Sequence, residues 1–435
     1  MKNLKLIVLF LTTIFIASCS KDETTIVEPP PTSKLAISSI APTSGLKNTT
    51  VIITGVDFST TMSNNVVTLN GKTCVVNTAS ATSLNITIPR GAGSGVINVS
   101  VAGATVTTPN FEYIITPSVV STVAGSTQGF ADGTGTEAKF NNPYGIALDA
   151  LGNMYVADQI NHKIRKITPA GVVTTLAGST PGFADGTGNA AQFNFPSGIA
   201  IDATGNLYVA DRANDKIRKI SPTSAVSTLA GSTYGFADGA GSVAKFSYPN
   251  SIALDPSGNV YVADINNHMI RKISTAGNVT TLAGSTAGYS DGLGTVARFS
   301  SPYGIVIDNS GNIYVADIGN QKIRKMTVTG QVSTIAGTTF GFADGIATTA
   351  QFSSPIGMTI DALGNLYVAD SENDKIRKIS PAGVVTTIAG ITRGFSDGSI
   401  TVAQFSLPSG VAVDALGNVF VADRFNHKIR KITQD

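Results

Sequence analysis

Three histidines are the first residues in this chain that invite chemistry. His162, His268 and His427 are separated by 106 and 159 residues, two and three times 53. Imidazoles are ready zinc ligands, and three of them make a catalytic set if they converge to about 2 Å from one point. Aspartates recur on the same period. "VAD" ends at Asp158, Asp211, Asp264, Asp317, Asp370 and Asp423, and Asp149 opens a "DxxGN" turn that recurs with it. A site needed once is not written six times, so these acids read as structural. The turn aspartates fit hydrogen bonds to local backbone amides. Arg165 is placed to pair with Asp158 in one hairpin, and Asp158 and Asn161 bracket the turn between. The repeated "DG.G" lacks the alternating acidic ligands of a calcium loop. Phe130 and Phe140 are expected to be buried beneath the loop that carries it.

These residues need elements to position them, and the period supplies those. One unit divides into four strands: "YGIALD" (144–149), "NMYVAD" (153–158), "KIRKIT" (163–168) and "VVTTLAG" (172–178), separated by turns. Four antiparallel strands repeated six times predict a six-bladed β-propeller. The combination "GIALD…GNMYVAD…N.KIRKI" resembles the NHL repeat family, and all six copies carry it across 119–435. The last copy stops at its third strand, "KIRKITQD", whereas an isolated fourth strand, "VVSTVAG", stands at 119–125. That N-terminal strand is expected to complete the last blade from outside and to close the ring, leaving no open edge. Equivalent positions then lie on a ring about the axis. The three histidines cannot converge on one metal, and they are expected in exposed loops. No metal site and no cofactor is expected.

Residues 34–116 read as short alternating runs between turns, such as "TVIITG" and "GVINVSVAG", the pattern of a β-sandwich. "IAPTSGLKNTTVIITGVDF" followed by "VTLNGKTC" resembles the IPT/TIG family of immunoglobulin-like domains, which implies a spacer or adhesive module. Cys74 is expected in a strand with Val75 and Val76, as a small buried hydrophobe. The fold class is therefore all-β: an immunoglobulin-like sandwich (34–116) followed by the propeller (117–435).

The N-terminus sets the address. Lys2 and Lys5 precede an apolar run, Leu6 to Ile16, too short to span a bilayer as a mature helix. "IASC" (16–19) resembles a bacterial lipobox, which implies a signal peptide at 1–18 and lipidation of Cys19. Lys21, Asp22 and Glu23 look like the surface-export signal of some Gram-negative lipoproteins. The proline-rich 19–33 then reads as a semi-rigid tether. These features imply an outer-membrane lipoprotein held by its lipid anchor and facing the medium.

Composition narrows the function. Charged residues are only 13% and net charge is +2, so no basic field points to nucleic acid. The "KIRK" strands hold 17 of the 30 Lys+Arg and spread them evenly. With two cysteines there is no disulfide framework. Function is sought where the copies differ, on the face carrying the long inter-blade loops and the second-to-third turns. Candidate ligand-binding residues there are Tyr144, Phe195, Tyr234, Tyr248, Asn250, Tyr303, Phe340 and Phe425, with Arg212, Glu372 and Arg424 adding asymmetry. Exposed aromatics among polar groups suit sugar rings or a protein surface. The expectation is a monomeric, non-catalytic binding protein for an extracellular glycan or protein. The alternative is a metal-dependent enzyme similar to six-bladed lactonases and lyases. Against it, the first-strand entrances offer one amide, Asn250, and no carboxylate, and the propeller has only two glutamates, Glu137 and Glu372.

Overall fold

The computed structural model describes residues 34–434, so the signal and tether at 1–33, with Cys19, Lys21, Asp22 and Glu23, lie outside the described residues. None of its helices is long and apolar enough to cross a membrane. The chain divides after Ile115 into two compact units.

The first unit is a sandwich of two sheets. One orders the strands Ala36–Ala41, Thr50–Val56, Ser83–Thr87 and Val75–Ser80. The other orders Ser44–Gly45, Ala104–Tyr113, Gly95–Val101, Asn65–Leu69 and Lys72–Thr73. Alternation puts Val51, Ile53, Leu84 and Ile86 of one sheet and Val67, Val99 and Phe111 of the other into a shared core. Cys74 falls between two strands and not within one, but it is buried in that core, and burial pushes its thiol up to about 11.

The second unit is a ring of six blades whose first strands neighbour one another all the way round, the first and last included. Blade 1 runs outward through Pro143–Leu148, Met154–Asp158, Lys163–Ile167 and Val172–Ala177. Hydrophobic clusters lie between blades: Ala147, Ala157 and Ile164 of blade 1 pack with Ile199, Leu207 and Val209 of blade 2. Closure occurs as the stranded segment requires. Val119–Ala124 pairs with Lys428–Thr433, Val119 opposite Thr433, and becomes the outer strand of blade 6.

The expectation of four strands per blade needs one correction. Each blade has a fifth, two-residue strand at its rim, such as Gly133–Thr134 against Val172–Val173, contributed by the long loop. It covers the outer edge. Asp132 fastens it, its carboxylate accepting hydrogen bonds from the backbone N–H and hydroxyl of Thr175 at 3.2 and 3.1 Å.

One buried arginine per blade joins loop to sheet. Arg165 is fully buried and donates to Asp158 at 2.7 Å, to Asp132 at 2.6 Å and to two loop carbonyls. Its guanidinium lies between the rings of Phe130 and Phe140, 4.9 and 5.1 Å from their centroids. Arg218, Arg271, Arg324, Arg377 and Arg430 repeat the arrangement. Phe140 is buried as expected. Phe130 is not: half of it remains exposed, because it caps the guanidinium from the solvent side.

Candidate binding site at the channel mouth

The first strands wall a central cavity of about 310 Å³. Its shaft is apolar, lined by residues such as Ile146, Ile199, Ile252, Ile305 and Val411. Ser251 and Thr359 add polarity along it, and of the residues after the blades' opening prolines Tyr144, Asn250, Tyr303, Ile356 and Ser409 line the cavity, whereas Ser197 is fully buried and does not. Two serines tie neighbours together, with Ser197 Oγ donating to the Asn250 carbonyl and Ser409 Oγ to that of Tyr144.

Tyr144 and Tyr303 lie on blades 1 and 4, which face each other across the ring. Their ring centroids are 6.4 Å apart at an interplanar angle of 48°, so the pair spans the mouth. Burial pushes the Tyr144 phenol well above its usual range, and the facing Tyr303 hydroxyl adds to the shift. The Oδ1 of Asn250, a residue only 2% exposed, is buried with no hydrogen-bond donor.

Two arginines from second-to-third turns lie over this pair. The guanidinium carbon of Arg212 is 5.6 Å from the Tyr248 centroid and 5.8 Å from that of Tyr303, and its Nη1 donates to the Tyr303 hydroxyl at 3.4 Å. Arg424 sits 5.4 Å from Tyr144 and 5.2 Å from Phe425. Neither arginine is in an ion pair among the described residues, and the Nε of each is buried without an acceptor. The nearby acids are already engaged. Asp215 accepts the Tyr248 N–H, and Glu372 and Asp374 hold Arg393.

The structure thus places Tyr144, Tyr303 and Asn250 around one cavity, with Tyr248 and Phe425 linked to the tyrosine pair through the arginines. It does not gather the rest. Phe195 packs edge-on against His162, and Tyr234 and Phe340, 62% and 70% exposed, stand on separate inter-blade loops. The two arginines are the residues that sequence reasoning undervalued. They occupy one slot, shared with Gln159, Ile265, Ile318 and Ser371, and a cation in a slot otherwise neutral was the available signal.

The histidines need a further correction. They are not exposed loop residues but half-buried staples between blades. The Nδ1 of His162 accepts the Phe195 N–H at 3.1 Å, that of His268 the Ser301 N–H at 3.0 Å, and that of His427 the Asn142 N–H at 3.2 Å. Asp215, Gln321 and Asp374 do the same at the other three junctions. Because each donor is a backbone amide, Nδ1 must be unprotonated. Burial lowers all three imidazole pKa values. Among the described residues no three His, Cys, Asp or Glu side chains are close enough to hold a metal, and the cavity lining includes no acid or imidazole.

An IPT/TIG domain model matches residues 35–113. An NHL repeat model matches 193–220, 246–273, 352–379 and 405–432, which are blades 2, 3, 5 and 6. The Arabidopsis thaliana protein SUPPRESSOR OF QUENCHING 1 is 32% identical over 67% of this chain and 30% of its own length. The chain spans less than half the length of the curated relatives it matches. Solved structures share the fold, among them the following three. A Bacteroides thetaiotaomicron protein of unknown function aligns at TM-score 0.74 and 23% identity, over 93% of this chain and 99% of its own. A Bacteroides ovatus auxiliary nutrient binding protein aligns at 0.58 and 21%, over the same shares. A Xanthomonas campestris gluconolactonase aligns at 0.50 and 13%, over 73% of this chain and 89% of its own.

Proposed function

We propose that this chain is a non-catalytic binding protein that takes up an external ligand, a glycan or a protein, at the loop face of its propeller. One observation carries the reading. On a scaffold that repeats six times, the channel mouth breaks the symmetry with two tyrosines, two unpaired arginines and an unpartnered amide oxygen. Ligand-binding sites are concave and carry a few convergent polar groups. The Bacteroides ovatus protein of the same fold, described as an auxiliary nutrient binding protein, supports the reading by analogy. In this proposal Cys19 carries the lipid, Lys21, Asp22 and Glu23 direct export, and a monomer stands on the outer face of the outer membrane on a tether at 19–33.

A glycan array and a pull-down with the wild type and a Tyr144→Ala, Tyr248→Ala, Tyr303→Ala variant test it, each with and without chelator. The expected result is binding that survives chelator and is lost in the variant, with the melting temperature confirming a folded ring. Unchanged binding in the variant moves the site elsewhere. Ring-opening or elimination activity that stops with chelator replaces this reading with the lactonase- or lyase-like one.

A further inference from the structure

The chemistry of the mouth narrows the ligand. We infer that it receives an acidic saccharide, a pyranose ring bearing a carboxylate or sulfate, held between Arg212 and Arg424. The inference rests on the reading of this face as a binding surface and adds the charge and shape of what it binds.

Three features converge on that class. The first is unbalanced positive charge. The other arginines of the blade frame each meet two carboxylates, yet Arg212 and Arg424 meet none, although Asp215, Asp374 and Glu372 stand on the same face and are engaged elsewhere. The second is orientation. A guanidinium stacked on a tyrosine keeps its N–H edge free, and that edge presents a planar fork to an oxyanion. Each guanidinium carbon lies over a tyrosine, Arg212 at 5.8 Å from the Tyr303 centroid and Arg424 at 5.4 Å from that of Tyr144, and only Nη1 of Arg212 is engaged, by the Tyr303 hydroxyl. The third is the floor. Tyr144, expected to be exposed, is only 5% exposed, so the half-buried Tyr303 and the 40% exposed Tyr248 offer the surface for the C–H face of a sugar, and Asn250 Oδ1 is a buried acceptor without a donor. An apolar ligand would leave that acceptor without a donor, whereas a sugar hydroxyl supplies one. A neutral sugar satisfies the last feature and leaves the cations unmet, whereas a simple anion meets the cations and leaves ring and amide unused.

Isothermal titration calorimetry of the intact chain with tetragalacturonate, its fully methyl-esterified form and a sulfated carrageenan tetrasaccharide tests the inference. Tetragalacturonate or the carrageenan fragment should bind, and which of them binds tells carboxylate from sulfate. The methyl ester should bind at least tenfold more weakly than tetragalacturonate. Arg212→Gln and Arg424→Gln should each weaken the acidic ligand at least tenfold at an unchanged melting temperature, and Arg212→Lys should recover part of that loss. Affinity should fall as salt rises. Equal affinity for acid and ester, or arginine variants that bind like the wild type, would overturn the assignment. If the ester then still depended on Tyr144 and Tyr303, the face would remain a binding surface and only its charge preference would be wrong. Failure of both acidic probes overturns the inference as well, and the pull-down then tells whether the broader reading survives. Arginine-dependent capture of an acidic peptide, with no saccharide bound, would replace the saccharide with a protein ligand.

Discussion

The three histidine staples make the ring sensitive to mild acid. Each imidazole accepts a backbone N–H from the next blade through Nδ1, so protonation turns the acceptor into a donor facing a donor. Burial holds each folded-state pKa below the ordinary value, with Lys163 and Lys428 lowering His162 and His427 further and Asp317 partly opposing the shift at His268. Protonation therefore favours the unfolded chain. The contribution is fully present above pH of about 6.5 and is lost as pH falls through the lower folded-state values. A hydrogen bond contributes about 1 kcal/mol net, so these three, one exposed and two part-buried, give at most about 3 kcal/mol. Over roughly 320 residues the unfolding entropy is about 0.7 kcal/mol/K, and that loss lowers Tm by up to about 4–5 °C. Gln321 shows how to remove the titration and keep the bond, since its Oε1 accepts the Ser354 N–H at 2.7 Å in the same slot. Scanning calorimetry of the wild type and of His162→Gln, His268→Gln, His427→Gln at pH 7.5 and 5.0 measures the difference. The wild type should lose more than the triple variant, by up to about 4–5 °C. Parallel losses would refute the assignment of these histidines as inter-blade acceptors.

Other perturbations probe separate parts of the molecule. Deleting 117–125 removes the outer strand of blade 6 and should cause aggregation or a clear fall in Tm; an unchanged melting temperature would contradict the closure. Arg165→Met leaves Asp158 buried and without its cation, at a cost of about 3–5 kcal/mol, and a second change, Asp158→Asn, should recover part of that stability in a denaturant titration. Protease treatment of intact cells should remove the protein, and Lys21→Ala with Asp22→Ala should leave it lipidated but shielded; full protection of the wild type would end the surface proposal.

The ring was legible because its information is periodic. A fixed step of 53 residues gave the blade number, and a fourth strand in front of a first strand gave the closure. Arg165 and Asp158 were legible as a pair because a hairpin makes them neighbours across two strands. What escaped depends on backbone geometry or on distance around the ring. His162, with φ of 55°, is turned toward the next blade, and the residue it meets, Phe195, is itself at φ of 52°. No pattern of residue types announces two left-handed positions meeting across a junction. The rim strand escaped because two residues are too few to show alternation. Tyr144 and Tyr303 were each chosen as candidates, but their contact was not. Their separation of 159 residues is three repeats, half of a six-membered ring, and that arithmetic alone places them opposite each other.

The pairing of Val119–Ala124 with Lys428–Thr433 also bears on the life of the chain during synthesis. The first propeller strand to be made is the one that must wait longest, since its partner lies more than three hundred residues downstream. Until that partner emerges, the first strand lacks its ladder and the arc of blades stays open. The ring therefore cannot shut on a truncated product. A chain cut short before its closing hairpin would keep an adhesive edge exposed, the kind of flaw that proteases and chaperones detect. The seam thus couples the stability of the first strand to the arrival of the last.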